Sequence, residues 1–151
     1  MPPLVLNAFC ESFLAHNSLS YFQYCKMYED KTPIILVNNV KLFKGLLENQ
    51  YGLYFPQREQ EFLFVFWDEV FPAEFTFLAK KIGVYHGITL SKKDENGFTF
   101  TSYAMRKEHL DPASRYLNIK KALITFSDGF AKNSIHLLKI AEKYEKGLLL
   151  K

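Results

Sequence analysis

Few side chains in this sequence have the types and the spacing that catalysis or metal binding requires. The sequence contains four scattered histidines: His16, His86, His109 and His136. None has a carboxylate or cysteine partner at a metal-ligand spacing, and no phosphate-binding glycine loop or nucleophile motif is present. Asp68 and Glu69 form the only acidic pair in an apolar stretch, for which a helix start or a solvated edge is the ordinary explanation. We therefore expect a protein that is not an enzyme and that holds no metal or cofactor.

The two cysteines and the N-terminal segment indicate a reducing compartment. Cys10 and Cys25 lie in separate apolar segments and form no CxxC pair, so buried, reduced thiols are their expected state. The N-terminal residues lack the basic region and long apolar core of a secretory signal, and no apolar run approaches the ~20 residues of a membrane span. These features predict a cytoplasmic protein that does not associate with a membrane.

Composition bounds the domain count and the class of partner. A chain of 151 residues with 48% apolar residues fits a single domain over 1–151. A net charge of +3 and a pI of about 8.7 fall short of the excess typical of nucleic-acid-binding domains, so we expect no DNA contact by this chain alone. Aromatic residues make up 17% of the sequence. Side chains of this size either pack together in a core of large residues or line a cavity.

Hydrophobic periodicity predicts the elements of the N-terminal half. The predicted elements are a helix over 4–16, a strand over 18–28, a strand over 34–37 and a helix that begins at Asn38 or Asn39. Because the first strand has large side chains on both sides of its alternation, we expect both of its faces to be covered. Residues 51–56 are typical of an aromatic loop, and periodicity does not decide between strand and helix over 61–71.

Turn and cap signals divide the following segment. The predicted elements are a helix over 73–81 and two strands over 85–91 and 98–104. Pro72 is expected at the first helical position, and Gly83 is expected to end the helix. The step from Asn96 to Gly97 supplies the positive-φ residues that a hairpin needs.

The chain is predicted to be helical after Asp111 and Pro112 almost to its end. A stripe with alternating spacings of three and four consists of Leu123, Phe126, Phe130, Ser134, Leu137, Ala141, Tyr144 and Leu148. Such a stripe packs in the core of the domain, forms a dimer interface, or does the first along one part of the helix and the second along the next. The element order predicts an α+β fold, an α/β/α sandwich with a central antiparallel sheet and helices on both faces.

Three segments taken together resemble a known family. They are SLSYFQY at 18–24, VNNVKLF at 37–43 and FLAKKIGVYHGITL at 77–90. In this order and at these separations they resemble the N-terminal autoinducer-binding domain of LuxR-type quorum-sensing transcription regulators. The resemblance covers about residues 5–145 and implies a PAS/GAF-like sandwich with a five-stranded antiparallel sheet. It also implies that a helix-turn-helix DNA-binding domain lies outside this chain.

The resemblance implies a ligand site between the sheet and the helices on one side. The implied ligand-binding residues are Tyr24, Asn39, Phe43, Leu47, Phe55, Trp67 and Ser102. Trp67 stands where an aromatic residue closes over the lactone ring, and Ser102 stands where a Ser or Thr bonds the ligand near its amide. Gly87 matches a family glycine that lets the sheet pack tightly.

At three positions an apolar residue replaces a hydrogen-bonding residue of the family pattern. Phe43, Leu47 and Phe55 stand where the family has a Trp, a Tyr and an Asp that hold the polar head of an acyl-homoserine lactone. Each buried hydrogen bond contributes about 0.5–1.5 kcal/mol, and an unpaired buried ligand group costs about 1–3 kcal/mol. We therefore expect an apolar ligand without that head group, or a cavity that the protein's own side chains fill.

These observations leave three hypotheses about function. The first is a sensory module whose small apolar signal, acyl-homoserine-lactone-like or divergent, controls dimerisation and DNA binding of a transcription regulator. The second is a ligand-independent interaction module that forms a homodimer through the stripe of its last helix. The third, an enzyme acting on a small acyl compound, ranks well below both because a catalytic constellation is missing.

Overall fold

The computed structural model describes residues 3–30, 33–39, 41, 44–45 and 62–133. The helices are α1 (Pro3–His16), α2 (Trp67–Val70), α3 (Ala73–Lys81) and α4 (Pro112–Asn133). The strands are β1 (Tyr21–Tyr28), β2 (Pro33–Val37), β3 (Phe62–Phe66), β4 (Tyr85–Asp94) and β5 (Gly97–Met105). Within the described ranges no helix is both long and apolar enough to cross a membrane.

The five strands form one antiparallel sheet in the order β2-β1-β5-β4-β3. Side chains alternate between its faces along each strand. One face, named the Tyr103 face, packs against α1 and α4 and buries Phe22, Tyr24, Ile88, Leu90, Tyr103 and Met105. The other, named the Trp67 face, packs against α2 and α3 and buries Tyr21, Cys25, Met27, Phe100 and Ala104. The predicted α+β sandwich with helices on both faces is confirmed.

The β4–β5 hairpin is longer than predicted, because pairing continues to Asp94 and Gly97. Gly97 has a φ of +143°, whereas Asn96 does not have a positive φ, so the expectation that both turn residues supply one is wrong for Asn96. The Oδ1 atom of Asp94 accepts the Asn96 N–H at 2.9 Å and holds the turn. A Cβ on Gly97 would lie 2.0 Å from the carbonyl oxygen of Met27, so close backbone approach also requires glycine there.

Helix α3 has the predicted bounds, and its ends follow ordinary capping rules. Gly83 follows the helix with a φ of +88°, as a terminating glycine does. Pro72 is the N-cap, with an extended ψ of 159°, and is not the first helical residue as predicted. Proline tolerates both positions because neither requires its missing N–H.

The undecided segment over 61–71 divides at Trp67 into strand β3 and helix α2. The segment therefore contains both of the structures that its periodicity allows, a strand followed by a helix. In α4, Leu123 and Phe130 of the predicted stripe are buried against the sheet, and Phe126 packs against them. The continuation of the stripe from Ser134 onward, most of the predicted helix after Asn39 and the predicted loop over 51–56 lie outside the described residues.

Candidate functional site

A row of side chains crosses the whole Trp67 face at its centre. Strand register aligns Val37, Gln23, Ser102, Thr89 and Val65, one from each strand. The two outer members are apolar and the three inner members carry hydrogen-bonding groups. Thr89 and Ser102 are buried. The sheet therefore presents a short polar stripe, named here the polar row (Gln23, Ser102 and Thr89), within an otherwise apolar surface.

The indole of Trp67 is tied to this row. Its Nε1–H donates to the Oγ1 atom of Thr89 at 2.9 Å, and that oxygen lies 2.8 Å from the Oγ atom of Ser102. Trp67 is only 5% exposed. A buried indole N–H needs a partner, and Thr89 supplies it. The polar groups of the two strands and of α2 thus satisfy one another.

Glycine and a β-bulge make the space that Trp67 occupies. A Cβ on Gly87 would lie 1.9 Å from the Cε3 atom of the indole, so the ring rests directly on the backbone of β4. The register between β4 and β5 shifts between Tyr85 and Ile88, and His86 in this bulge has a φ of +57°. A non-glycine residue in the left-handed region stores strain, and such strain gathers at functional sites. The predicted role of Gly87 in close packing agrees with this contact.

The side chain of Tyr21 completes one end of the site. Its hydroxyl donates to the Oε1 atom of Gln23, and its ring meets the Trp67 indole edge to face, with centroids 5.8 Å apart. Burial raises the pKa of Tyr21 far above its ordinary value, so the phenol is neutral throughout the physiological range. The residues of the polar row and Tyr21 accordingly carry no charge at neutral pH.

Aromatic side chains of α3 and of the residue that follows α2 pack on Trp67. Phe75 lies 5.4 Å from Trp67 and stacks on Phe71 at 3.8 Å, measured between ring centroids. Gly45 lies against Leu78 of α3, since a Cβ placed on it would be 3.5 Å from the leucine Cδ2 atom. The chain between β2 and β3 therefore passes beside α3 at Gly45, on the same side of the sheet as Trp67.

The predicted ligand-binding residues divide into four groups. Trp67 and Ser102 come together on the Trp67 face, joined through Thr89. Tyr24 lies on the Tyr103 face, where its ring centroid is 5.1 Å from that of Phe130, so the structure does not bring it together with the other two. Asn39 follows β2 and is partly exposed. The remaining predicted residues, Phe43, Leu47 and Phe55, lie outside the described residues.

Sequence reasoning did not assign Gln23 or Thr89 to the site. Both stand inside quoted motifs, Gln23 in SLSYFQY and Thr89 in the GITL segment. Strand alternation places Gln23 on the face opposite Tyr24, and this was a readable signal. The pairing of Thr89 with Ser102 depends on the register of a hairpin, which residue types do not specify. Among the residues with described side chains, no group of three His, Cys, Asp or Glu could hold a metal ion.

Comparison with known proteins was informative only at the level of the fold. No family model and no curated protein matches the chain. Among solved structures, it is similar to an N-acylhomoserine lactone dependent LuxR family transcription factor, CepR2 from Burkholderia cenocepacia, at 15% identity and a TM-score of 0.62 over 87% of this chain and 95% of that chain. The fold predicted from the LuxR-type resemblance is therefore confirmed.

Two further solved structures share the fold. Escherichia coli SdiA matches at 14% identity and a TM-score of 0.63 over 90% of this chain. SdiA in complex with octanoyl-rac-glycerol matches at 12% identity and a TM-score of 0.55 over 72% of this chain. The chain spans 63% and 50% of those two SdiA chains. Identities this low establish a shared fold, and function has to be argued from the residues.

Proposed function

We propose that this chain is the small-molecule-sensing domain of a cytoplasmic LuxR-type transcription regulator and that its ligand binds between the Trp67 face and the helices that cover it. The observation that carries the proposal is the polar row beside Trp67, whose Thr89 and Ser102 are buried, within an aromatic surface and in a fold shared with a lactone-dependent regulator. Ligand sites of small molecules are mostly apolar, with a few placed polar groups that fix orientation.

The polar row favours a neutral ligand with an acyl chain. Gln23, Ser102 and Thr89 offer amide and hydroxyl groups without charge, and the surrounding rings suit a hydrocarbon chain. Phe43, Leu47 and Phe55 replace the groups that would hold a lactone head, which favours a different neutral head group. The similar protein SdiA is seen in complex with octanoyl-rac-glycerol, so an acylglycerol is the first probe to test.

Ligand occupancy would act on the regulator through stability and dimerisation. A ligand that binds the folded domain stabilises it by RT ln(1 + [L]/Kd), or about 2.7 kcal/mol at one hundred times Kd. We infer that occupancy sets the dimer state through α4 and so controls a DNA-binding domain outside this chain. One of the similar structures is a transcription factor, which supports a regulatory role over a catalytic one.

A fluorescence titration tests the proposal directly, because Trp67 is the only tryptophan. We expect a saturable change of emission with octanoyl-rac-glycerol and at least tenfold weaker binding of N-octanoyl homoserine lactone. Ser102→Ala should weaken binding about fivefold to tenfold, equivalent to one buried hydrogen bond. Thr125→Ala, at an exposed position of α4, should leave binding unchanged.

The contrary result is equally definite. The sensory proposal is wrong if two results are found together. Neither acyl compound changes the emission at concentrations up to about 100 µM, one hundred times a Kd of about 1 µM, and mass spectrometry finds no co-purified small molecule. A saturating response to the lactone at lower concentration than to the acylglycerol would overturn the proposed head-group preference while retaining the sensory role.

One observation supports a second candidate, a ligand-independent interaction module with a filled cavity. Thr89 already accepts the indole N–H of Trp67, and Phe75 and Phe71 pack on the same ring, so the described part of this face is satisfied without a ligand. This candidate predicts that ligand-free chains form dimers in sedimentation equilibrium and that acyl compounds change neither the dimer constant nor the melting temperature.

A further inference from the structure

A concave site lies on the opposite face of the sheet from Trp67. A cleft of about 550 Å³ opens between the β4–β5 hairpin and the C-terminal half of α4. This volume lies within the range of roughly 300–1,000 Å³ that small-molecule sites occupy. The cleft shares no residue with the polar row, so its ligand would be independent of the signal proposed above.

The inner part of the cleft is mostly apolar, although hydroxyl-bearing residues from both sides, among them Thr101 and Ser127, also line it. Leu90 from β4 and Thr101 from β5 form its floor and are 8% and 4% exposed. Ile124 and Ala131 of α4 form the facing wall. Because both sides present hydrocarbon, this part of the cleft suits an alkyl chain or another apolar body.

The rim of the cleft carries two lysines and two aspartates, and their ion pairs leave one lysine without a partner among the described residues. Lys92 of β4 reaches Asp128 of α4 across the rim at 3.3 Å, between Nζ and Oδ1. Lys132 also lines the cleft, and among the described residues it has no ion-pair partner. Both Lys92 and Lys132 are solvent-exposed, so each can reorient toward a bound ion at little cost.

Asp94, which also lines the cleft, pairs with a lysine behind it. Lys26, 6% exposed, pairs with the Oδ2 atom of Asp94, while the Oδ1 atom of Asp94 accepts the backbone N–H of Asn96. Both carboxylate oxygens of Asp94 therefore have a partner within the protein. With three lysines against two aspartates, the cleft and its immediate surroundings carry one net positive charge.

We propose that this cleft binds a small amphiphilic anion of the alkyl carboxylate class. The carboxylate lies at the rim against Lys132 and Lys92, and the alkyl chain packs between Leu90 and the α4 residues Ile124 and Ala131. Because such a ligand contacts both the sheet and the last turns of α4, it holds the helix to the hairpin more firmly than the exposed Lys92–Asp128 pair does.

Amide chemical shifts of the isotopically labelled chain test the proposal, with sodium octanoate as the probe. We expect octanoate to shift amides of 90–101 and 124–132 in a saturable way, and octylammonium chloride to bind at least tenfold more weakly. Lys132→Gln should weaken octanoate about fivefold. Lys121→Gln, at an exposed α4 position outside the cleft, should have no effect.

Three results would overturn the proposal. They are equal affinity for octanoate and octylammonium, an unchanged affinity in Lys132→Gln, and octanoate shifts confined to the amides around Gly87 and Thr89. The last result would place octanoate on the Trp67 face and so bears on the sensory proposal instead. Ala131→Trp provides a second check, since filling the cleft should abolish the shifts while the amide dispersion of the folded chain persists.

Discussion

The two faces of the sheet use their polar groups in opposite ways. On the Trp67 face, the hydroxyls of Thr89 and Ser102 bond each other and the indole of Trp67. On the Tyr103 face, tyrosine hydroxyls join different layers. Tyr103 bonds Ser127 of α4 at 2.7 Å, and Tyr116 of α4 donates to the carbonyl oxygen of His86. The polar groups of the first face therefore bond one another beside Trp67, and those of the second face hold the long helix α4 to the sheet.

Among the substitutions considered, Gly87→Ala should lower the free energy of unfolding most, because its methyl group would overlap the indole ring of Trp67. The substitution displaces the indole from the backbone of β4 and breaks its bond to Thr89, so we expect the free energy of unfolding to fall by about 3 kcal/mol. Urea unfolding monitored by circular dichroism measures this. Loss of less than about 1 kcal/mol would mean that the indole moves away freely.

Gly129→Ala is the matched control for this prediction, at a helical position whose added Cβ would meet no atom within 4 Å. Alanine is the better helix former by roughly 0.5–1 kcal/mol, so the same methyl group should stabilise the chain. Opposite signs at the two glycines would show that contact with Trp67, and not glycine as such, determines the outcome.

At alkaline pH, the tyrosines of the two faces should contribute unequally to the loss of stability. Burial raises the pKa of these tyrosines above the ordinary value of 10.0. Below pH 10 the folded and the unfolded chain both keep the phenol protons, so the buried tyrosines make their full contribution to the free energy of unfolding. Above it the unfolded chain loses protons first, so stability falls by about 1.4 kcal/mol per pH unit for each buried tyrosine. Tyr103 and Tyr116 represent one face and Tyr21 the other.

Replacing these tyrosines by phenylalanine should flatten the alkaline slope unequally. The Tyr103→Phe, Tyr116→Phe double variant should remove about 2.7 kcal/mol per pH unit, and Tyr21→Phe about half of that. Unfolding measured between pH 10 and 12 checks this. The cysteine thiols, whose pKa burial raises to about 12, contribute one group per face and cancel in the comparison. Equal slopes in both variants would contradict the assignment.

A smaller effect is expected for Thr89→Val, which keeps the shape of the side chain and removes the acceptor of the Trp67 indole. A buried N–H without a partner costs about 1–3 kcal/mol, and we expect about 1.5 kcal/mol from urea unfolding. Ser102→Ala keeps the indole bond and should cost no more than about half as much. A larger loss in Ser102→Ala would mean that the serine, and not the indole, holds the row together.

The smallest effect is expected at the rim of the Tyr103 face. Lys92 and Asp128 are exposed, with side chains 62% and 41% accessible, so a double-mutant cycle should give a coupling below about 0.5 kcal/mol. The coupling should vanish in 1 M salt, where the screening length is about 3 Å. A coupling above about 1 kcal/mol that persists in salt would show that this pair is a structural clamp.

Local signals in the sequence were sufficient for several elements. Helix α3 has its predicted bounds because a proline and Gly83 mark its ends within a regular apolar spacing. Strand β1 was also predicted, because its alternation of large side chains is independent of its partners. The division of 61–71 at Trp67 was not predictable, because a continuous apolar run suits a strand and a helix equally.

The candidate site was less predictable, for physical reasons that particular residues illustrate. Trp67 and Ser102 were expected there from the LuxR-type resemblance. Their link through Thr89 depends on cross-strand register, which arises from pairing between distant segments. Tyr24 was assigned to the ligand site from its motif, yet its strand turns it to the Tyr103 face. Residue types in a strand specify two faces, and only the assembled sheet specifies which helices cover each.

The central position of β5 has a consequence for synthesis of the chain. Strand β1 pairs on its inner side with β5, so that Tyr21 meets Ala104 and Tyr28 meets Gly97. At translation rates of roughly 5–20 residues per second, the inner edge of β1 emerges from the ribosome about 4–16 s before its partner does. During this interval the N-terminal hairpin exposes unpaired backbone groups beside Phe22 and Cys25. We therefore expect the nascent chain to expose this edge until Gly97–Met105 has been made.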